Sequence, residues 1–199
     1  MSNDSPLSSD RALLRQHRER AVNDDAPDFL AAGMVAHVGI ADEHGPVVIP
    51  MPYHFDAATP DRIYIHGAHN SRLLNAVASG APVCVTVTIV DGLVYAKTAL
   101  NHSVNYRSVV AFCHAAPQQP TGNDARAILH AMISRYWPGR TAGVDYEVTP
   151  DKQLNATNLV ALHIDAMSAK TRTGGSKGPG DDDPAVPGTA GVTELRSGY

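Results

Sequence analysis

The sequence predicts an α+β protein: a closed or nearly closed sheet of about seven strands, mainly antiparallel, with helices on its flanks. Several short segments alternate apolar and polar residues, which is the period of a half-buried strand, and most follow one another without a helix between them. A doubly wound parallel sheet would instead alternate strand with helix throughout. The chain has 199 residues, 43% of them hydrophobic and 18% charged, which suffices for one domain with its own core.

The first half of the chain is predicted to contain two helices and three strands. The first helix begins near Asp24 or Asp25, and Gly33 is a typical residue to end it. The second strand carries Pro50 and Pro52 on one face, so two backbone donors are missing from the same edge. Such a gap indicates a sheet edge, a bulge or a place where a ligand meets the backbone. The predicted strands cover residues 34–41, 47–55 and 62–67, and the second helix covers 71–79.

The second half is predicted to contain four strands and two helices. Residues 83–90 alternate cleanly, and Asp91-Gly92 is a strong signal for a hairpin turn, with 93–100 returning as the partner strand. Apolar residues recur at helical spacing over about 123–137, which predicts an amphipathic helix. The remaining elements are strands over 105–115 and 159–165 and a short helix over 150–157.

We expect three regions along the chain: a flexible N-terminal arm over 1–20, one domain over 21–174, and a loosely ordered tail over 175–199. The formal net charge is -4, from 16 basic and 20 acidic residues, which argues against nucleic acid or an anionic membrane as a partner. No apolar run approaches the roughly 20 residues that cross a bilayer, and residues 1–10 lack the apolar core of a signal peptide. A cytoplasmic location is therefore expected.

Two segments are candidates for binding a phosphate. In the first, Asn70 or Ser71 can cap a helix whose first N–H groups are free, and Arg72 adds a cation with paired donors. An ordinary cap beside an exposed arginine explains these residues equally well. In the second, a polar run over 105–108 opens an apolar strand. Its Arg107 is either a surface residue of an edge strand or a second phosphate contact.

A third cationic segment is weaker, because Lys170 and Arg172 are spaced as at any solvated strand end. The ten histidines show no helical i, i+4 pair and no Cys or Glu at ligand spacing, so no metal site is expected. Haem with His66 or His102 as an axial ligand is a less favoured alternative. The sequence also lacks a Gly-x-Ser-x-Gly elbow and a phosphate-binding Walker loop, which disfavours covalent hydrolysis and nucleoside-triphosphate chemistry.

Four stretches, in this order along the chain, carry a resemblance to a known family. They are HG with NSRLL over 66–74, VCVTVT with DGLV over 83–94, HSVNYRSVV over 102–110, and SAKTRTG over 168–174. In these motifs the chain resembles the pyridoxamine-5'-phosphate-oxidase-like family of FMN-binding split β-barrels. It looks most similar to the flavin-nucleotide-binding branch related to nitroimidazole-resistance proteins.

The resemblance implies a homodimer with FMN at the subunit interface. It implies that Ser71 and Arg72, at the helix start with Asn70, bind the FMN phosphate, with Arg107 and Ser108 beside them. The other residues that it implies around the flavin are Ile49, Pro50 and Met51 under the ring, His66, Asn105 and Tyr106 around the ribityl chain or ring, and Lys170 and Arg172 near the dimer seam.

The implied function is an FMN-dependent oxidoreductase acting on a small molecule. Two alternatives stay open: a flavin-binding or flavin-carrier module without turnover, and a deazaflavin- or haem-binding variant of the same barrel. The sequence cannot separate enzyme from carrier, because no residue stands out as a general acid or base. After Gly174 there is no tryptophan and no Arg-x-His pair. The true oxidase uses these for its pyridoxal substrate, so their absence argues against vitamin B6 oxidase activity.

Overall fold

The computed structural model describes residues 10–195 of the chain. Its centre is one antiparallel sheet that curls into a half-barrel, in the order β2-β1-β5-β6-β7-β4-β3, with β8 paired to the second half of β5. This agrees with the predicted fold class. The strands are β1 Ala36–Asp42, β2 Gly45–Met51, β3 Tyr53–Phe55, β4 Arg62–Ala68, β5 Val83–Tyr95, β6 Ser103–Ala115, β7 Thr157–Arg172 and β8 Gly191–Glu194.

The concave side of the sheet holds the main core. Val83, Val85 and Val87 of β5 are buried there together with Val109 and Ala111 of the neighbouring β6. Alternate residues along these strands lie on the opposite face, as the period of two predicts. Full burial of one such valine contributes about 1.5–3 kcal/mol, so this shared face holds the two long strands together.

Four helices cover the sheet: α1 Ala26–Ala32, α2 Arg72–Ala78, α3 Gly122–Tyr136 and α4 Asp151–Asn155. Leu30 of α1 and Leu73 and Leu74 of α2 are fully buried in the main core. Helices α3 and α4 lie against the other face of β4 and β7. Ala125 and Leu154 belong to a second, smaller core there, together with other residues that include Tyr64 and Leu159.

One side chain at the end of α3 ties that helix to the rest of the protein. Arg135 donates hydrogen bonds to the backbone carbonyls of Leu30 (3.1 Å), Ala31 (3.2 Å), Gly33 and Tyr53 (2.5 Å). Its guanidinium also lies 4.4 Å from the centre of the Tyr53 ring. A positive charge therefore sits against the carbonyl end of α1, where the helix dipole favours a cation.

The first helix ends at Gly33, as predicted, but for a different reason. Gly33 has an ordinary φ of -71°, so no left-handed conformation requires glycine there. An added Cβ would instead overlap the Cγ1 of Val87, and the Tyr53 hydroxyl would be 2.8 Å from it. Close packing of α1 on the sheet is what requires the missing side chain.

The hairpin expected at Asp91-Gly92 is wrong. Strand β5 continues through both residues to Tyr95, with only a β-bulge between Val90 and Gly92. The Asp91 carboxylate accepts hydrogen bonds from Arg107, and Gly92 lies opposite Glu194 of β8. The actual connection between β5 and β6 lies further on, over residues 96–102.

Both ends of the domain are more ordered than the sequence suggests. Strand β7 runs to Arg172, well beyond the predicted end at residue 165. The expected loose tail contains β8, and Asp181 in the same segment accepts a hydrogen bond from the Lys97 amide at 2.9 Å. Residues 1–9 of the expected arm and residues 196–199 of the tail lie outside the described residues. The rest of the arm leads into Val22, which donates to the Ala169 carbonyl of β7 at 3.1 Å.

Candidate cofactor site

Seven of the predicted site residues lie on β2, near the end of β4 and at the start of α2. Pro52 separates β2, which pairs with β1, from β3, which pairs with β4. Tyr53 lies opposite Ile65, so Pro52 and His66 are the next positions along the two strands. The prolines therefore mark a place where the sheet changes partner, in agreement with the predicted gap. We call this group the α2 cluster: Ile49, Pro50, Met51, His66, Asn70, Ser71 and Arg72.

Ser71 caps α2, which is the ordinary helix-cap role that the sequence allows for it. Its hydroxyl accepts a hydrogen bond from the Leu74 amide at 3.3 Å, and its own amide donates to the Ala68 carbonyl at 2.9 Å. The serine oxygen is thus already occupied by the helix. The hydroxyl hydrogen is not used by this cap and can still donate to an anion near α2.

Arg72 has an internal partner. Its Nε and Nη2 each donate to the Asp42 carboxylate at 2.6 Å, in a two-pronged pair. The hydrogen bonds from Arg72 are the main reason that the pKa of Asp42 lies below its usual value. About half of the Arg72 side chain stays exposed, so a phosphate can approach the guanidinium from the solvent side. It would share this cation with Asp42.

The other six predicted residues lie on neighbouring strands β6 and β7. The pairing sets Tyr106 opposite Arg172 and Ser108 opposite Lys170. Arg107 pairs with Asp91 through hydrogen bonds of 2.7 and 3.0 Å, and these raise its pKa. We call this group the β6 cluster: Asn105, Tyr106, Arg107, Ser108, Lys170 and Arg172.

The β6 cluster borders a cleft of about 820 Å³ that the C-terminal segment helps to form. Arg172 hydrogen-bonds the Asn105 side chain and the Gly175 carbonyl (3.2 Å), and Asn105 donates to the Gly174 carbonyl at 3.1 Å. Sequence reasoning missed the other lining residues, because they come from the unpredicted β8 and from a residue assigned to a turn. These include Asp91, Val192, Glu194 and Leu195.

One chain does not bring Arg72 and Arg107 together. Their positions can be compared along β5, which pairs with both β1 and β6. Gly39 pairs with Cys84, so Asp42, three residues further along β1, lies opposite residue 81, whereas Arg107 lies opposite Ile89. Eight residues of strand correspond to roughly 26 Å. A single phosphate can therefore touch Arg72 or Arg107 of one chain but not both. The expectation that both arginines meet one phosphate requires two chains.

His66 is the most unusual histidine of the α2 cluster. Its Nδ1 is buried and has no hydrogen-bond partner, and burial lowers its pKa, so the neutral imidazole is favoured. The ring borders a small cleft of about 220 Å³ lined by Leu129, Met132 and Ile133 of α3. Among residues 10–195, no three His, Cys, Asp or Glu side chains are arranged to hold a metal ion.

Comparison with known proteins supports the family and the fold. The family model described as pyridoxamine 5'-phosphate oxidase matches residues 23–171, three-quarters of the chain. The chain belongs to this family. No curated protein sequence matches it. Within the described residues, no helix is long and apolar enough to span a membrane.

Solved structures of several other proteins share this fold. The FAD and haem binding protein of Mycobacterium smegmatis is 32% identical, with a TM-score of 0.75 over 87% of this chain and 82% of that one. The flavocytochrome Anf3 of Azotobacter vinelandii is 29% identical, with a TM-score of 0.77 over 96% and 86%. A 5-nitroimidazole resistance protein of Bacteroides thetaiotaomicron, 18% identical with a TM-score of 0.60 over 75% and 85%, supports the split-barrel fold alone.

Proposed function

We propose that this family member binds a flavin nucleotide, holding the ribityl phosphate of its FMN portion at the α2 cluster. The observation that carries the proposal is the exposed face of the Arg72 guanidinium at the start of α2, two residues after the exposed Asn70. Pro50 and Pro52 remove backbone donors from a separate stretch of strand. Backbone without donors suits the face of a flat ring, and a guanidinium suits a phosphate. The flavin named for the M. smegmatis relative supports the same assignment.

The proposed assembly is a homodimer in which each flavin lies between two subunits. Asp42, which holds Arg72, and Arg107 lie roughly 26 Å apart along the strands of one chain, so a two-fold axis is the simplest way to set the partner's copy of Arg107 against Arg72. Several apolar side chains stand exposed around the β6 cluster, where a second copy would cover them. They are Val90, Leu93, Val104 and Leu195.

The chain's own residues would then have distinct tasks. Arg72 and the partner's copy of Arg107 would offset the phosphate charge, each still held in place by its own aspartate. Lys170 and Arg172 would lie near the pyrimidine end of the ring, where a cation favours the reduced, anionic flavin. When bound, the flavin supplies electron or hydride transfer to a small-molecule substrate.

An oxidoreductase would catalyse a reaction at this site, whereas a carrier would only bind the flavin. His66 is the one histidine in the α2 cluster, and burial keeps it neutral, so it could accept a hydrogen bond but is a poor proton donor. We favour an oxidoreductase. Steady oxidation of NADH or NADPH by the flavin-loaded protein with an added acceptor would support this, and none with either donor would favour the carrier. A cytoplasmic location stays a prediction.

The test of flavin binding begins with the visible spectrum of the purified protein, which should show flavin bands. Fluorescence titrations with FMN and riboflavin then locate the phosphate. Arg72→Ala and Arg107→Ala should each weaken FMN about tenfold, because a charge-assisted hydrogen bond contributes roughly 1.5–3 kcal/mol and the aspartates already share these cations. Riboflavin, which lacks the phosphate, should be unaffected. Arg140→Ala, an exposed arginine bonded to the Asp145 carbonyl, is the matched control.

Two results would contradict the proposal. Equal loss of FMN and riboflavin would mean that the arginines support the fold rather than the phosphate. No effect on either flavin would mean that the site lies elsewhere.

Haem is a second candidate ligand, favoured by one observation. His66 presents a neutral imidazole beside a cleft that Leu129, Met132 and Ile133 help to line, and both relatives above are named for haem or as a flavocytochrome. Neutral imidazole is the form that binds iron. The other candidate, His102, is exposed and bonds the Thr98 carbonyl. A Soret band that His66→Ala removes and His102→Ala leaves would establish this ligand, whereas its absence after haem addition would exclude it.

A further inference from the structure

A cleft of about 320 Å³ lies beside the start of α2, outside the residues proposed to hold the flavin. It opens between the first turn of α3, helix α4 and the start of β7. Its apolar lining includes Ala125, Leu154 and Leu159, which belong to the second core. Its volume and its mixed lining are those of a small-molecule site.

The cleft adjoins the proposed phosphate position. His69, which directly precedes Asn70, Ser71 and Arg72, lines it, and its ring is held by the Asn155 carbonyl. Asn158 also lines the cleft and pairs in the sheet with Gly67, near the end of β4. A group attached to a phosphate at Asn70–Arg72 could therefore pass over His69 into the cleft.

Two asparagine side chains of the cleft suit the hydrogen-bonding edge of an adenine ring. The side-chain amides of Asn155 and Asn158 have no hydrogen-bond partner among the described residues, whereas the Gln119 amide is fully used by Ala116 and Ala161. An asparagine amide can pair with the N6 and N7 edge of adenine. Apolar side chains such as Leu154 offer a surface for the purine ring.

We propose that the flavin of this protein is FAD, with its adenosine half in this cleft. The inference rests on the proposed flavin site, and it extends the ligand beyond the FMN that the sequence predicts. The larger cleft at the β6 cluster is a poorer candidate. In the same chain it lies far from the proposed phosphate position at Arg72, and it carries the carboxylates Asp91 and Glu194. These would repel a diphosphate.

The test compares FAD, FMN and AMP on the whole protein. Reconstituted protein should bind FAD at least tenfold more tightly than FMN, and AMP should compete with FAD but not with FMN. Asn158→Ala should weaken FAD about fivefold to tenfold, the size of one neutral hydrogen bond, and leave FMN unchanged. Asn75→Ala, an exposed asparagine of α2 outside the cleft, is the matched control and should change neither.

Failure of the adenosine site and failure of the flavin site give different results. Equal affinity for FAD and FMN, or no competition by AMP, would overturn the adenosine site while leaving the flavin site intact. Equal losses of FAD and FMN in Asn158→Ala would assign the residue to the fold and also overturn it. Failure of the wild-type protein to bind any flavin would overturn both proposals.

Discussion

Replacing Arg135 by alanine should cost the protein about 2–4 kcal/mol of stability. Four backbone carbonyls accept hydrogen bonds from this guanidinium, but two keep another donor without it. Leu30 retains the Tyr53 hydroxyl at 2.5 Å, and Tyr53 retains the Tyr136 hydroxyl at 3.1 Å. The Gly33 carbonyl loses its side-chain donor in a partly buried place, which costs about 1–3 kcal/mol, whereas water can replace the donor to the exposed Ala31 carbonyl. The contact of the guanidinium with the Tyr53 ring, about 0.5–1 kcal/mol, is lost as well.

Urea unfolding followed by circular dichroism measures this directly. For a domain of this size a loss of about 3 kcal/mol lowers Tm by roughly 6–12 °C. Arg135→Lys should recover less than half of the loss, because an ammonium cannot reach the carbonyls with the planar fork of a guanidinium. Arg140→Ala should stay within about 0.5 kcal/mol of wild type. A loss below about 1 kcal/mol in Arg135→Ala, or full recovery in Arg135→Lys, would refute the reasoning.

Three further changes test other parts of the fold. Gly33→Ala should destabilise by about 1–3 kcal/mol in urea unfolding, because the new methyl overlaps Val87; a neutral effect would show that α1 can shift freely. Burial lowers the pKa of His66, so the unfolded chain binds protons more readily and the free energy of unfolding should fall as pH drops below about 6.5. His66→Gln should flatten this pH dependence of stability, and an unchanged dependence would count against the role of His66. Gly92→Val should push against the Thr193 carbonyl and release β8, seen as faster proteolysis near residue 190; unchanged cleavage would contradict this.

The sequence predicts those elements whose signal is local. Alternation over 83–90 and helical spacing over 123–137 appear as β5 and α3, since each residue's burial follows from the element's own period. The same reasoning cannot see partners distant in the chain. Asp91-Gly92 is a turn signal by itself, and only the pairing of Gly92 with Asn105 of β6 and Glu194 of β8 explains why the strand continues there.

The candidate site shows the same division. Asn70, Ser71 and Arg72 of the α2 cluster are neighbours in sequence, whereas β2 and β4 are far apart in the strand order, so the grouping of their residues stays a prediction of the resemblance. The pairing of Arg72 with Asp42 links residues 30 positions apart and has no local signature. Nor does any local pattern reveal that Arg107 lies at the other end of the sheet. That separation follows from strand register, which long-range packing determines.

The central claim is that each flavin site combines Arg72 of one subunit with Arg107 of the other, and a mixing experiment tests it. Homodimers of Arg72→Ala or of Arg107→Ala carry one damaged arginine at every site. When the two variants are unfolded together and refolded, each mixed dimer should contain one intact site and one doubly damaged site. Random pairing then gives wild-type FMN affinity at about a quarter of all sites. If the mixture shows only the weakened affinity of the separate variants, the two arginines do not share a site across the interface.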